Sequence, residues 1–119
     1  TIARKIVADL DYIGVMGVEF FLKESELYVN EIAPRVHNSG HWTMDGSYSS
    51  QFQQHIRAIM DLPLLSTERH SDIIMYNLIG KVTSNLAKNE LAKVYVYGKK
   101  ESRPGRKMGH INLIKKKGS

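Results

Sequence analysis

The chain contains no cysteine, which excludes a disulfide framework, a thiolate nucleophile and a thiolate zinc site. Without that redox marker, the reducing cytoplasm is the default expectation for its location. No apolar run approaches the roughly 18 residues of a membrane span, and the opening TIARKIVADL lacks the long apolar block of a secretory signal. No membrane partner is expected. Internal repeats are absent, and the only low-complexity stretch is the terminal KKKGS, which is expected to fray. What remains is 119 residues, 42% of them apolar. That is the size of one domain or of a fragment of a larger protein, with enough apolar material for a folded core.

The net charge of +5 is concentrated near the end of the chain. Lys99, Lys100, Arg103, Arg106, Lys107, Lys115, Lys116 and Lys117 face only Glu101, a surplus of seven that exceeds the whole chain's charge and leaves the remainder slightly acidic. Such a cluster fits anion binding, nucleic-acid contact or plain solubility.

In TIARKIVADL, Ile2, Ile6 and Leu10 with Ala3 and Val7 form the stripe of an amphipathic helix. It has no visible N-cap, so the chain is expected to start inside or just before a helix of a longer protein. YIGVMGVEFFLKESELYVNEIAP then contains two β-branched and aromatic runs separated by KESE, which predicts a β-hairpin ended by Pro34. Arg35 to Ser47 has loop composition. SSQFQQHIRAIMDLP predicts a helix with Phe52, Ile56, Ile59 and Met60 on one face, a Ser50/Gln53 capping box and a stop at Pro63. From about Asp72 onward, DIIMYNLIG, LAKVYVYGKK and RKMGHINLI predict short strands, the last two joined by the turn ESRPG.

If the hairpin turn is centred on Ser25, Glu19 and Glu31 are directly opposed, with side chains on one face about 5 Å apart. Their repulsion in apolar surroundings is relieved by a cation between them or by protonation of one. Oxygen ligands without sulfur suit Mg²⁺, whose remaining positions usually carry substrate phosphates; Asn30 adds a neighbouring oxygen. A register shifted by one residue would instead send the two glutamates to opposite faces. A third possibility is zinc held by Glu31, His37 and His41, although Asn38, Ser39 and Gly40 between the histidines argue for a loop rather than a helix face.

The stretch after Pro34 combines Arg35 as a planar donor array, His37 and Asn38 for directional hydrogen bonds, and Ser39 with Gly40 for close backbone approach. Such a set fits an anionic, oxygen-rich small molecule. In KKESRPGRKMGH, Lys100, Arg103, Arg106 and Lys107 can surround a phosphate. A basic, non-enzymatic nucleic-acid-binding module is the alternative. It is weakened because Tyr95 and Tyr97 lie in the strand and no aromatic lies in the turn.

GVEFF, LYVNEIAPRVHNSGHWTMDG, SQFQQHIRAIMDLPL and RPGRKMGHINL together resemble the C-terminal part of the N5-carboxyaminoimidazole ribonucleotide synthase family, the ATPase subunits of phosphoribosylaminoimidazole carboxylase, within the ATP-grasp superfamily. The resemblance covers nearly the whole chain. It implies an α+β fold: the C-terminal half of an ATP-grasp core (helix, antiparallel hairpin, helix) over residues 1–66, then a small C-terminal β domain over residues 67–119. The implied activity belongs to de novo purine biosynthesis. ATP, bicarbonate and 5-aminoimidazole ribonucleotide give N5-carboxyaminoimidazole ribonucleotide, ADP and phosphate through carboxyphosphate.

By the same resemblance, Glu19 and Glu31 match the Mg²⁺ pair and Asn30 with Glu31 the ATP contact. Arg35, His37, Asn38 and Ser39 match the loop facing carboxyphosphate and ribonucleotide, with Arg35 catalytic. Lys100, Arg106 and Lys107 match the turn that holds the ribonucleotide phosphate. Family members are commonly homodimers. The family's N-terminal and lid domains have no counterpart here, so the isolated chain is expected to be inactive.

Overall fold

The computed structural model describes residues 1–80 and 89–116. Contacts divide the chain into two compact units, one built from Thr1–His41 and Ser49–Thr67, the other from Trp42–Tyr48 and the chain from Glu68 onward.

The first unit opens with helix α1, Ile2–Asp9. Contrary to the expectation of an uncapped start, Thr1 is its N-cap, accepting from the Arg4 amide at 3.3 Å; the apolar stripe begins at the very next residue, Ile2, and so draws attention away from the cap. Strands β1 (Gly17–Lys23) and β2 (Glu26–Ala33) form an antiparallel hairpin, and β2 ends directly before Pro34. The connection is a two-residue loop in which Glu24 and Ser25 have φ of 49° and 71°, the positive values a type I′ turn requires at both central residues.

Helix α3 (Gln51–Ile59) has the expected Ser50 cap, with the hydroxyl accepting from the Gln53 amide at 3.1 Å. Phe52, Ile56, Ile59 and Met60 are exposed, whereas Gln51 and Gln54 are buried. Periodicity identifies an apolar face but not what covers it, and both glutamines are drawn inward by main-chain partners. Gln54 brackets Leu65, donating to its carbonyl (2.7 Å) and accepting from its amide (2.9 Å).

The second unit is a three-stranded antiparallel sheet in the order β3-β5-β4, from β3 (Ser71–Ile79), β4 (Ala92–Val96) and β5 (Lys107–Lys116). As the turn chemistry predicts, β4 and β5 are antiparallel neighbours. Strand β5 continues through Lys116, into the segment expected to fray; residues 117–119 lie outside the described range. Tyr97 lies just past the end of β4 rather than within it. A short helix, α2 (Thr43–Gly46), occupies what has loop composition, and Gly46 is needed there because a Cβ would sit 2.6 Å from Ile73 Cγ1. Between β4 and β5, Gly109 lies so close to the Tyr95 carbonyl that no side chain fits.

The folded core is smaller than the apolar content implies. Among the described residues the buried hydrophobic side chains are Ala33 and Met108, and the largest fully buried ones are His110 and Asn112. Small units have too much surface for their volume to enclose many large side chains.

Candidate nucleotide and anion site

Glu19 on β1 and Glu31 on β2 are register partners, although not through the turn geometry used to predict it. From Lys23↔Glu26 to Phe20↔Val29 the hairpin is regular, and its two-residue turn would continue to Glu19 opposite Asn30. A β-bulge intervenes between Glu19 and Phe20, and the pairing resumes as Glu19↔Glu31. Two residues of a bulged strand face one on the partner, so Asn30 and Glu31 share Glu19's position. The outcome is an exposed pair of carboxylates with an amide beside them. These are hard oxygen donors without sulfur, a set that fits Mg²⁺ together with phosphate oxygens.

His37 approaches the pair, its Nε2 lying 3.5 Å from Glu19 Oε1. Its ring orientation is defined at the other nitrogen. His37 is the N-cap of the 3₁₀ turn Asn38–Gly40, with Nδ1 accepting from the Ser39 amide at 3.2 Å and 2.7 Å from the Ser39 hydroxyl. A ring that accepts at Nδ1 carries its neutral-form proton on Nε2, the nitrogen facing Glu19. Gly17 makes the approach possible, since a Cβ there would sit 2.9 Å from both Cβ and Cγ of His37.

Arg35 is exposed, and its guanidinium donates to the Val36 carbonyl at 2.9 Å. Asn38 and Ser39 lie within the 3₁₀ turn. The zinc arrangement of Glu31, His37 and His41 is not assembled, and no three metal-binding side chains converge among the described residues. His41 turns elsewhere, its ring stacked on Phe52 at 5.6 Å and its Nδ1 2.9 Å from Gln51 Nε2.

In the second unit the basic segment is organised by its own turns. Pro104 and Gly105 (φ 77°) occupy the centre of a turn closed by the Arg106 amide on the Arg103 carbonyl at 3.1 Å, matching the type II preference for Pro then Gly. Arg103 pairs with the Glu101 carboxylate at 2.8 Å, and Arg106 donates to the Glu101 carbonyl at 3.0 Å. Lys99 rather than Lys100 folds back to the Lys107 carbonyl, at 2.6 Å. Lys100 and Lys107 are exposed and Arg106 is half-buried.

Two features were not legible beforehand. Gln51 brackets His37 as Gln54 brackets Leu65, with Oε1 accepting from the His37 amide at 3.0 Å and Nε2 donating to its carbonyl at 2.7 Å. Its partner is 14 residues away, and no local pattern distinguishes it from Gln53. Asp45 on α2 accepts from the Tyr95 hydroxyl at 2.9 and 3.0 Å and from Asn112 Nδ2 at 2.8 Å. Burial and the Asp45 bond push the Tyr95 hydroxyl up to about 12. His110 stacks on Tyr95 at 4.7 Å, and burial lowers its pKa against the opposing pull of Asp45.

Comparison with known proteins agrees with this architecture. Residues 1–52 match the ATP-grasp domain and residues 74–119 the phosphoribosylaminoimidazole carboxylase C-terminal domain. The N5-carboxyaminoimidazole ribonucleotide synthase of Brucella melitensis is 55% identical over 97% of this chain and 33% of its own length. The Thermus thermophilus synthetase structure superposes with a TM-score of 0.87 at 49% identity, over 95% of this chain and 32% of that one. An Aspergillus clavatus synthase in complex with ADP and 5-aminoimidazole ribonucleotide gives 0.84 at 43%, over 95% and 33%. The chain therefore spans about a third of the length of the relatives it matches.

These matches and the α+β architecture define a piece of an ATP-grasp protein. Within that class, the chain belongs to the N5-carboxyaminoimidazole ribonucleotide synthase family.

Proposed function

We propose that this chain forms part of an ATP-dependent ligase that carboxylates 5-aminoimidazole ribonucleotide with bicarbonate. The observation carrying this reading is the Glu19–Glu31 register, with Asn30 bulged beside it and His37 Nε2 at 3.5 Å, in a chain 55% identical to a named synthase. ADP and 5-aminoimidazole ribonucleotide are bound by the Aspergillus relative, which supports both ATP and the ribonucleotide as substrates here.

In this reading Glu19 and Glu31 hold Mg²⁺, while Asn30 and Glu31 contact ATP. Bound there, Mg²⁺ supplies neutralisation of phosphate charge. Bicarbonate takes the γ-phosphoryl group, releasing ADP and forming carboxyphosphate; the exocyclic amine of the ribonucleotide then attacks the carboxyl carbon and phosphate leaves. Arg35 donates to carboxyphosphate as charge moves onto it. His37, Asn38 and Ser39 orient the second substrate. Lys100, Arg106 and Lys107 hold the ribonucleotide phosphate, a role suited to two point charges and one planar donor.

The whole enzyme is a cytoplasmic homodimer in this account, and the isolated segment does not turn over. Nucleic-acid binding is less well supported, because the basic stretch from Lys99 to Lys107 contains no aromatic side chain on which bases could stack. The test is ATP hydrolysis by a full-length protein carrying this segment, assayed with bicarbonate and 5-aminoimidazole ribonucleotide present or omitted. Hydrolysis that requires both supports the reading; hydrolysis indifferent to both, or binding of single-stranded oligonucleotide that weakens steeply with salt, contradicts it.

A further inference from the structure

We infer that Gln51 is a positioning residue for His37, a role that rests on the function proposed above for what the site does. A primary amide that engages both the N–H and C=O of one residue reproduces the pairing of a β-bridge and leaves that residue little freedom. Gln51 does this to His37 at 3.0 and 2.7 Å while itself buried on the first turn of α3. The two main-chain bonds also fix which end of the amide is which, because an amide N–H must meet oxygen and a carbonyl must meet NH₂.

The second hydrogen on Nε2 points to His41 Nδ1 at 2.9 Å. One side chain thus ties together both histidines of the loop, and His41 gains a role, as the far anchor of the clamp. Gly40 permits the close passage of the amide, since a Cβ there would collide with it.

The His37 ring inherits this constraint. Its backbone is held by Gln51, its Nδ1 by Ser39, and its Nε2 is left directed at Glu19. Rotation of the backbone would swing the Nε2 proton away from the carboxylate pair.

Gln54 supplies an internal control, because it makes the same two kinds of main-chain bond from the same helix, to Leu65 rather than to a member of the site. Gln51→Met removes the clamp with similar volume; Gln51→Glu keeps an acceptor for the His37 amide but sets a second oxygen against the His37 carbonyl. In full-length protein with ¹⁵N-labelled histidine, the His37 ring is expected as a single Nε2–H tautomer. Both Gln51 variants should shift it toward averaged tautomers, and Gln54→Met should not.

In the same proteins, kcat with saturating ATP should fall about tenfold for Gln51→Met, the range typical of lost ligand-supporting bonds. The KM for ATP should stay within about twofold. Added to His37→Ala, Gln51→Met should cost little more. Unchanged His37 signals, an equal effect of Gln54→Met, or losses that add to His37→Ala would each overturn the positioning role. Wild-type protein lacking ribonucleotide-dependent hydrolysis would instead sink the functional reading, and the ring signals would still decide the positioning claim.

Discussion

Glu19 stands opposite Glu31 across the β1–β2 hairpin because Asn30 is an extra residue in β2. Continued regularly, the Glu24–Ser25 turn would pair Glu31 with Val18 and put the two carboxylates on opposite faces. The bulge aligns them, and two aligned carboxylates repel unless a cation lies between them. A device that imposes repulsion is intelligible at a metal site and costly elsewhere.

His37 reaches Glu19 only because position 17 has no side chain. Gly17→Ala places a methyl group 2.9 Å from the His37 ring base, and overpacking of this kind destabilises by about 1–3 kcal/mol. The expected result is a modest fall in melting temperature together with a roughly tenfold loss of ribonucleotide-dependent ATP hydrolysis. Thermal melts and steady-state kinetics on one preparation check both; unaltered kinetics would show that the His37 position is unimportant.

Gly105 sits at φ 77° in the Arg103–Arg106 turn, a conformation that costs an L side chain roughly 1–2 kcal/mol. Gly105→Ala should disturb the basic turn alone. The KM for 5-aminoimidazole ribonucleotide is expected to rise several-fold while the KM for ATP holds. Equal changes in both constants would mean that Lys100, Arg106 and Lys107 do not act specifically on the ribonucleotide.

The hairpin, both long helices and the three later strands were legible because each carries its own composition and punctuation: β-branched and aromatic residues in GVEFFLK, Ser50 before α3, and Pro104–Gly105 before β5. The opposition of Glu19 and Glu31 was anticipated, but from a turn centred on Ser25; a one-residue bulge has no local signature that separates it from a shifted turn. Gln51 and Asp45 were missed for a related reason. Their meaning lies in partners 14, 50 and 67 residues away, and a buried amide or carboxylate looks the same in sequence as a solvated one.

The Asp45 cluster is expected to contribute a pH dependence to the stability of the second unit. The Tyr95 pKa is raised to about 12 from an ordinary 10, so the folded form binds more protons than the unfolded form in that interval. Stability is full below pH 10 and declines as pH rises toward 12. His110 is shifted the other way, lowered from 6.5 by burial, so its contribution is present above that value and is lost as pH falls below it. Melting temperature against pH should fall at both ends, and Tyr95→Phe should flatten the alkaline limb while lowering stability at neutral pH. An unchanged alkaline limb in Tyr95→Phe would assign that decline to other groups.

The central claim is that Glu19 and Glu31 form one metal–nucleotide site. Its most direct test is Mg²⁺-dependent ATP hydrolysis, with bicarbonate and ribonucleotide present, in full-length Glu19→Gln, Glu31→Gln and the double variant. The account predicts at least a roughly hundredfold loss in each single variant and little further loss in the double, as for groups acting as a unit. Near-normal hydrolysis in either single variant would contradict it.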